Sequence, residues 1–354
     1  MSELTQGNLL SAPAEALVNT VNTVGIMGRG IALQFKQAYP AMFREYARAC
    51  KAGEVKLGRM HVVDLGGLTG GPRWIINFPT KGHWRDQSRM ADIEAGLQEL
   101  VATIRKLHIS SIAIPPLGCG NGGLNWNEVR PRIEAALANV PEVKALVYAP
   151  GGAPEADAMP NRTERPEMTP GQAAMLVLMD RYLKGLLDPN ISLLEIHKLL
   201  YFLQSAGQPL RLKFVAKEFG PYATNLRQVL IRMEKHYTQG YGDGKDSPNQ
   251  PIELLPGAVE LADKFLAEDQ TIRARMDRVA ALIEGFEDPH GLELLSSVHW
   301  VMREHPEASA SPESAVAAVH QWNARKHRTL KHEHIVTAWN RLKALDWDAS
   351  FAKA

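Results

Sequence analysis

Over its first 150 residues the chain alternates short apolar runs with longer stretches of helical periodicity, and this alternation restricts the fold more than any other feature. Ala16–Val18, Met60–Val63, Trp74–Ile76, Ser111–Ile114 and Ala145–Tyr148 have the length and composition of buried strands. Between them lie helical patterns near residues 29–38, 41–51, 90–107 and 126–139. The third is the clearest, because Ile93, Leu97, Leu100, Val101 and Ile104 recur at helical spacing. Strands that are apolar throughout, separated by helices, imply an α/β domain with helices on both faces of a mostly parallel sheet. Ligands of such sheets lie beyond the carboxyl ends of the strands, where Asn19, Asn77 and Pro115 are expected. Pro79 is expected to stop the run Trp74–Ile76. Lys81 then follows the strand and leads into the loop Gly82-His83-Trp84-Arg85.

The pattern breaks between Gly151 and about Pro170. Pro154, Pro160, Pro166 and Pro170 are interspersed with Glu155, Asp157, Arg162 and Glu164, and periodicity is lost, as expected of a linker. Beyond it, residues 176–187, 193–206, 225–236, 259–266, 272–283, 292–302 and 335–345 repeat apolar residues at spacings of three and four. Gly240-Tyr241-Gly242-Asp243-Gly244-Lys245 reads as a hairpin or loop tip. The expected organisation is a first domain over 1–152, a linker over 153–170 and a mainly α-helical second domain over 171–354. A chain of 354 residues is long enough for both.

No apolar run reaches the ~20 residues of a membrane helix, and the first residues lack a basic-then-apolar leader. Two cysteines, Cys50 and Cys119, form no Cys-x-x-Cys pair, which fits a reducing cytoplasm and excludes a disulfide scaffold. The net charge of +1 divides unevenly. Residues 1–152 hold 16 Lys and Arg against 12 Asp and Glu, or +4, and the remainder holds 24 against 27, or −3. A mildly basic first part tolerates a polyanionic substrate.

Two glycine loops carry the chemistry. Gly25-Ile26-Met27-Gly28-Arg29-Gly30 follows one strand and opens a helix, where backbone N–H groups and the helix N-terminus favour a pyrophosphate. Its glycine order is not Gly-x-Gly-x-x-Gly, which argues against a Rossmann site. Leu117-Gly118-Cys119-Gly120-Asn121-Gly122-Gly123 follows another strand, so the two loops together suit a diphosphate. Asn19 and Asn22 bracket Thr20-Val21, and asparagine amides suit ribose hydroxyls. Cys119 has no matching His or Asn partner in the sequence and reads as a small packing residue rather than a nucleophile.

These motifs, with Thr5-Gln6-Gly7-Asn8-Leu9-Leu10 before them and Ala16-Leu17-Val18-Asn19-Thr20-Val21-Asn22 between, make residues 1–150 resemble a macrodomain, the ADP-ribose-binding three-layer α/β/α sandwich. The pairing of Phe78-Pro79-Thr80-Lys81 with Gly118-Cys119-Gly120-Asn121-Gly122-Gly123-Leu124-Asn125-Trp126 is similar to the terminal ADP-ribose glycohydrolases. Within them it is most similar to the antitoxin branch that removes ADP-ribose from DNA bases and is paired with a DarT-type toxin. The resemblance implies that Asn8 lies near adenine, Asn22 near the distal ribose, and both glycine loops around the diphosphate. The ligand set it implies is Asn8, Leu9, Asn22, Gly28, Arg29, Gly30, Thr80, Gly118, Cys119, Gly120, Asn121 and Gly122, with no cofactor and no metal.

Protein-deacylating relatives carry an acidic residue where this chain has Gly122, so the catalytic burden is expected to fall on Lys81. A lysine has an ordinary pKa of ~10.4 and must lose its proton to attack the anomeric carbon. Burial beside Phe78 would favour that loss. Alternatively a charged Lys81 stabilises the departing base. His83, Trp84 and Arg85 are candidate DNA contacts, with Trp84 stacking on a base and Arg85 meeting phosphate. The expected substrate is ADP-ribosylated DNA, with thymidine in a single strand as the modified base and ADP-ribose as product. Protein-linked ADP-ribose or O-acetyl-ADP-ribose is the second enzyme reading, and a non-catalytic ADP-ribose reader is the third.

In the second part, Ile196-His197-Lys198-Leu199-Leu200-Tyr201-Phe202 and Lys217-Glu218-Phe219-Gly220-Pro221-Tyr222 resemble helical antitoxin modules of the Panacea and SocA type, which implies direct binding of the toxin. Gly291–Leu295, leading to Val298–Val301, extends the likeness. Arg325-Lys326-His327-Arg328 with Lys331-His332 forms a basic patch that could touch nucleic acid but reads first as a solvated face. His332 and His334 are too few for a zinc site.

Overall fold

The computed structural model describes residues 2–66, 71–186 and 190–348. The expected end of a helix at residue 187 and the last six residues of the expected second domain lie outside these.

β2 (Ala16–Asn22) shows how the first layer arrangement arises. Ala16 and Val18 point to one face and Leu17 and Val21 to the other, and all four are buried. A strand buried on both faces needs a helical layer on each. Ala16 and Val18 join Ile76 and Phe78 under Ile93, Leu97, Leu100 and Ile104 of α3 (Met90–Leu107), and under Val129 and Ile133 of α4 (Trp126–Leu137). Leu17 and Val21 join Ile75 and Ala113 under Phe35 and Ala38 of α1 (Gly30–Ala38), and under Met42, Tyr46 and Ala49 of α2 (Pro40–Lys51). Each of these large apolar side chains contributes ~1.5–3 kcal/mol relative to remaining in water. Pro40 starts α2 at a position that needs no N–H donor, and His108 ends α3 in the left-handed conformation.

The sheet runs β1–β6–β5–β2–β4–β3, where β1 is Ser2–Thr5, β3 His61–Asp64, β4 Trp74–Lys81, β5 Ser111–Ile114 and β6 Lys144–Tyr148. Every pairing is parallel except the edge pair β3–β4. This is the three-layer α/β/α macrodomain arrangement with a mostly parallel sheet, followed by a helical region.

One expectation is corrected here. β4 passes through Pro79 and ends at Lys81. β3 starts at His61 opposite Asn77, so from Phe78 onward β4 pairs with β2 alone. Pro79 therefore stands where one side of the strand asks for no donor, which is where a sheet accepts proline. The same register corrects the placement of Asn19 and Asn77. They are opposite each other, fully buried in mid-strand, with Asn19 Nδ2 donating to Asn77 Oδ1 at 2.9 Å. The residues at the carboxyl ends of these strands are instead Asn22 and Lys81, which the register sets side by side across a bulge after Val21.

The chain divides into two compact units, Met1–Glu164 with Gly242–Lys245, and Arg165–Tyr241 with Asp246–Ala354. Much of the proline-rich stretch is held on the first unit. Asn8 Nδ2 donates to Ala158 O at 2.9 Å, Arg162 N to Gln37 O at 2.8 Å, and Met159 is buried.

The second unit is built of helices over Pro170–Leu186, Leu193–Ser205, Leu226–Met233, Ala258–Phe265, Gln270–Ile283, Pro289–Glu304, Pro306–Ala310, Pro312–Trp322, Ala324–Thr329 and His332–Ala344. Two small antiparallel sheets accompany them, Phe214–Lys217 with Gly220–Ala223, and Thr238–Gln239 with Pro251–Leu254 and Ile191–Ser192. A capping box between Ser192 and Glu195 starts the helix carrying His197–Phe202.

The expected solvated basic face is corrected in part: His327, Arg328, Lys331 and His332 are exposed, whereas Lys326 and much of Arg325 turn inward. Lys326 is fully buried and donates to Glu293 Oε1 at 2.7 Å and Ser297 Oγ at 2.8 Å. Arg325 forks onto the same carboxylate at 2.6 and 3.0 Å and lies over the Phe219 ring. Glu293 compensates both cations, which is what allows charge inside a helical core. Beside them the buried Lys198 donates to Pro221 O at 2.8 Å, so the Lys-Leu-x-Tyr-Phe helix and the Phe-Gly-Pro turn are one packed structure. No helix of the described residues is long and apolar enough to cross a membrane.

Candidate active site

Lys81 ends β4 buried, and its Nζ reaches two main-chain carbonyls, Asp86 O at 2.8 Å and Asn121 O at 2.6 Å. The first belongs to the loop that follows β4, the second to the second glycine loop. Burial pushes the Lys81 pKa below its ordinary value, and the Asp86 carboxylate opposes that shift. A neutral amine has two N–H donors and one lone pair. Two carbonyl acceptors can take both hydrogens and leave the lone pair as the outward group.

The two glycine loops meet at Asn121. A Cβ on Gly30 would lie 3.3 Å from Asn121 Nδ2, so the start of α1 abuts the second loop. The N–H of Gly30 donates to the carbonyl of Asp243, within the same compact unit, at 2.8 Å. Gly28 and Arg29 precede Gly30 in the turn, and Arg29 is exposed. In the second loop, Gly118 O accepts from Leu124 N at 3.0 Å and Ser88 N donates to Gly122 O at 2.9 Å. A Cβ on Gly122 would fall 2.3 Å from Gly118 O and 2.4 Å from Ser88 Oγ. No side chain fits there without moving backbone, which accounts physically for a chain with no acid at this position. Gly120 and Asn121 are exposed at the tip.

A macro domain family model matches residues 18–133. A protein of Thermus aquaticus named DNA ADP-ribosyl glycohydrolase is 46% identical over 342 residues, covering 97% of this chain and 93% of the relative. One of Mycobacterium tuberculosis with the same name is 46% identical over 348 residues, covering 95% of this chain and 97% of the relative. The chain belongs to the DNA ADP-ribosyl glycohydrolase family. It is thereby placed among hydrolases. Among solved structures, the macrodomain of Mycobacterium tuberculosis DarG is 56% identical, covers 43% of this chain and 99% of its own, and has a TM-score of 0.42.

The other candidates of this glycohydrolase family member fall into two groups. Several use their polar atoms on the protein itself. Asn22 Oδ1 accepts from Val24 N at 3.0 Å and Ile26 N at 3.3 Å, and its Nδ2 donates to Ile26 O at 2.6 Å, which fixes the turn after β2. Asn8 Oδ1 caps the short turn Leu9–Ser11 by accepting from Leu10 N, and Leu9 is buried. Thr80 is buried, with its hydroxyl 3.4 Å from Val21 O. Burial pushes the Cys119 thiol up to about 11, so it stays protonated near neutrality, in keeping with a packing role.

The second group stands on the loop after β4. Trp84 is exposed, with the Arg85 guanidinium 4.5 Å from its ring and the His83 ring 5.1 Å away. Asp86 and Ser88, which sequence reasoning did not single out, hold this loop. Asp86 Oδ2 accepts from His83 N at 2.8 Å, and its carbonyl takes Lys81. Ser88 N carries the tie to Gly122. These contacts run mainly through main-chain atoms, and such atoms leave no residue-type signal in a sequence.

Proposed function

We propose that the chain removes ADP-ribose from DNA bases, thymidine in single-stranded DNA above all, with Lys81 as the nucleophile. The reading rests foremost on one observation, the buried Lys81 amine at a strand end, held by a carbonyl of the second glycine loop. The family's other members named DNA ADP-ribosyl glycohydrolase support the substrate class. ADP-ribose would lie with its diphosphate at the glycine loops around Gly28–Gly30 and Gly118–Gly122, its adenine toward Asn8 and Leu9, and its distal ribose toward Asn22, Thr80 and Lys81.

In the proposed reaction the lone pair of neutral Lys81 forms a bond to the anomeric carbon of the distal ribose. The bond from that carbon to the base nitrogen breaks, the electron pair leaves with the base, and the base gains a proton as the newly bonded Lys81 nitrogen gives one up through water. Ring opening of the resulting glycosylamine gives an imine, and water then releases ADP-ribose and restores the amine. Preorganised carbonyl acceptors fix the direction of the lone pair before substrate arrives. A protonated Lys81 acting on the departing base is the second reading, and the same two carbonyls would also hold an ammonium.

The helical unit is proposed to bind a DarT-type DNA ADP-ribosyltransferase toxin. Its support is the packed Lys198–Pro221 motif. Incubation of the full chain with single-stranded DNA carrying ADP-ribosyl-thymidine tests the activity. Release of unmodified oligonucleotide and ADP-ribose is expected. A chain that binds ADP-ribose and leaves that substrate intact is a reader, not a hydrolase.

A further inference from the structure

In the first unit, four large apolar side chains stand exposed among the described residues, and three of them share one place. Val24 and Ile26 are each 46% exposed and Trp84 is 44% exposed. The first two are on the turn after β2 and the third on the loop after β4. The loops are fastened to each other, because Thr23 N and Thr23 Oγ1 both donate to Gly82 O, at 3.0 and 2.9 Å. Each is also rigid on its own. Asn22 gathers the turn around its carboxamide, while Asp86 binds His83 N and Lys81 binds Asp86 O. Folding thus spends several polar groups on holding apolar side chains in water, which points to a partner that covers them.

We infer that Val24, Ile26 and Trp84 form a platform for the unpaired bases that flank the modified nucleotide in single-stranded DNA. The inference rests on the proposed function and adds to it the part of the substrate beyond the reacting nucleotide. A single-stranded nucleic acid is the occupant the chemistry favours. Trp84 offers a flat ring with the Arg85 guanidinium at 4.5 Å, a pairing that serves both base stacking and phosphate contact. The loop begins at Lys81, so a base on Trp84 adjoins the nucleotide whose bond is broken. The first 152 residues carry +4, which favours a polyanion. The platform is rigid before binding, so little ordering cost reduces its affinity.

Binding of an unmodified, fluorescein-labelled thymine 12-mer to the full chain, read by fluorescence anisotropy at low salt, tests this apart from any hydrolysis. Trp84→Ala is expected to weaken binding at least about fivefold, the low end of losing one base–aromatic stack. The double variant Val24→Ser with Ile26→Ser is expected to weaken it in the same direction. Leu261→Ser, an equally exposed apolar position in the helical unit, should leave it unchanged. A 12-mer of abasic sugars should bind more weakly than the thymine strand and be indifferent to Trp84→Ala. On modified substrates, Trp84→Ala should slow the oligonucleotide and spare ADP-ribosyl-thymidine as a mononucleoside. Wild-type and Trp84→Ala chains binding the thymine strand equally would overturn the inference, as would equal affinity for abasic and thymine strands. Hydrolysis that fails while the thymine strand still binds through Trp84 counts against the glycohydrolase reading and not against the platform.

Discussion

The side-chain nitrogen of Lys81 lies 2.6 Å from the carbonyl oxygen of Asn121, so the lysine at the end of β4 is fastened to the tip of the second glycine loop. The lysine proposed to react and the loop proposed to cradle the diphosphate are therefore joined by a direct hydrogen bond. The same nitrogen holds the loop after β4 through Asp86 O. Lys81 thus moors both loops, and the chemistry proposed for it is a second, separable role.

Lys81→Ala should lower hydrolysis of ADP-ribosyl-DNA by at least about a hundredfold, in the range expected for loss of one positioned reacting group. ADP-ribose itself should still bind within about tenfold, since the glycine loops keep Gly118–Gly122 closed through Ser88 N and Leu124 N. Calorimetry with ADP-ribose beside a hydrolysis assay separates the two. Equal loss of binding and turnover would mean that mooring is the dominant role.

The pH profile carries the protonation state. Burial lowers the Lys81 pKa and Asp86 opposes it. If the neutral amine attacks, kcat/KM rises with pH, with a midpoint below the ordinary ~10.4. Asp86→Asn removes the opposing charge and should move that midpoint to lower pH. A rate that falls as pH rises through the same limb would assign the ammonium as the active form.

Gly122→Asp installs a carboxylate where protein-deacylating relatives have one. Its Cβ would meet Gly118 O at 2.3 Å and Ser88 Oγ at 2.4 Å, so the loop must open. Overpacking of this kind costs ~1–3 kcal/mol. Loss of ADP-ribose binding is expected by calorimetry, with no gain of activity on O-acetyl-ADP-ribose. A variant that binds normally would show that the loop yields more easily than its packing suggests.

The α/β alternation is legible in the sequence because short, continuously apolar runs at β2 and β4 alternate with the 3.6-residue period of α3, and because β2 is apolar on both faces. Lys81 is legible as a strand-end lysine beside two glycine loops. Its partners are not, since Asp86 O and Asn121 O are carbonyls that any residue would supply. Pro79 misleads for a related reason: whether a strand tolerates proline depends on where the neighbouring strand stops, and β3 starts opposite Asn77. Lys326 misleads most. A run of four basic residues looks solvated until Glu293, 33 residues earlier in the chain, is folded beneath it.

Glu293 is also a point at which the helical unit is vulnerable, because two cations share its carboxylate. Glu293→Ala leaves Lys326 and Arg325 without their shared carboxylate, and removing one side of a buried pair costs ~3–5 kcal/mol. A large drop in the urea midpoint of the full chain is expected, and a change below ~1 kcal/mol would contradict the burial of Lys326.

Acid should act on the same unit. Burial holds His197 and His299 down to about 3, and both accept hydrogen bonds on Nδ1, from Ala223 N and from the Tyr201 hydroxyl. Between about pH 3 and the ordinary ~6.5 the unfolded chain binds protons that the folded chain refuses, so stability falls as pH drops through that window. Urea midpoints at pH 7 and pH 5 should differ accordingly, and equal midpoints would argue against two neutral buried histidines.

The most direct test of a nucleophilic Lys81 is chemical. Sodium borohydride added during turnover of ADP-ribosyl-DNA should reduce the imine and leave ADP-ribose covalently on Lys81, seen by peptide mass spectrometry. The expected result is one modified peptide carrying residue 81, absent without borohydride and absent in Lys81→Ala. Full turnover by the wild-type chain with no adduct at Lys81 under the same conditions would contradict the covalent mechanism.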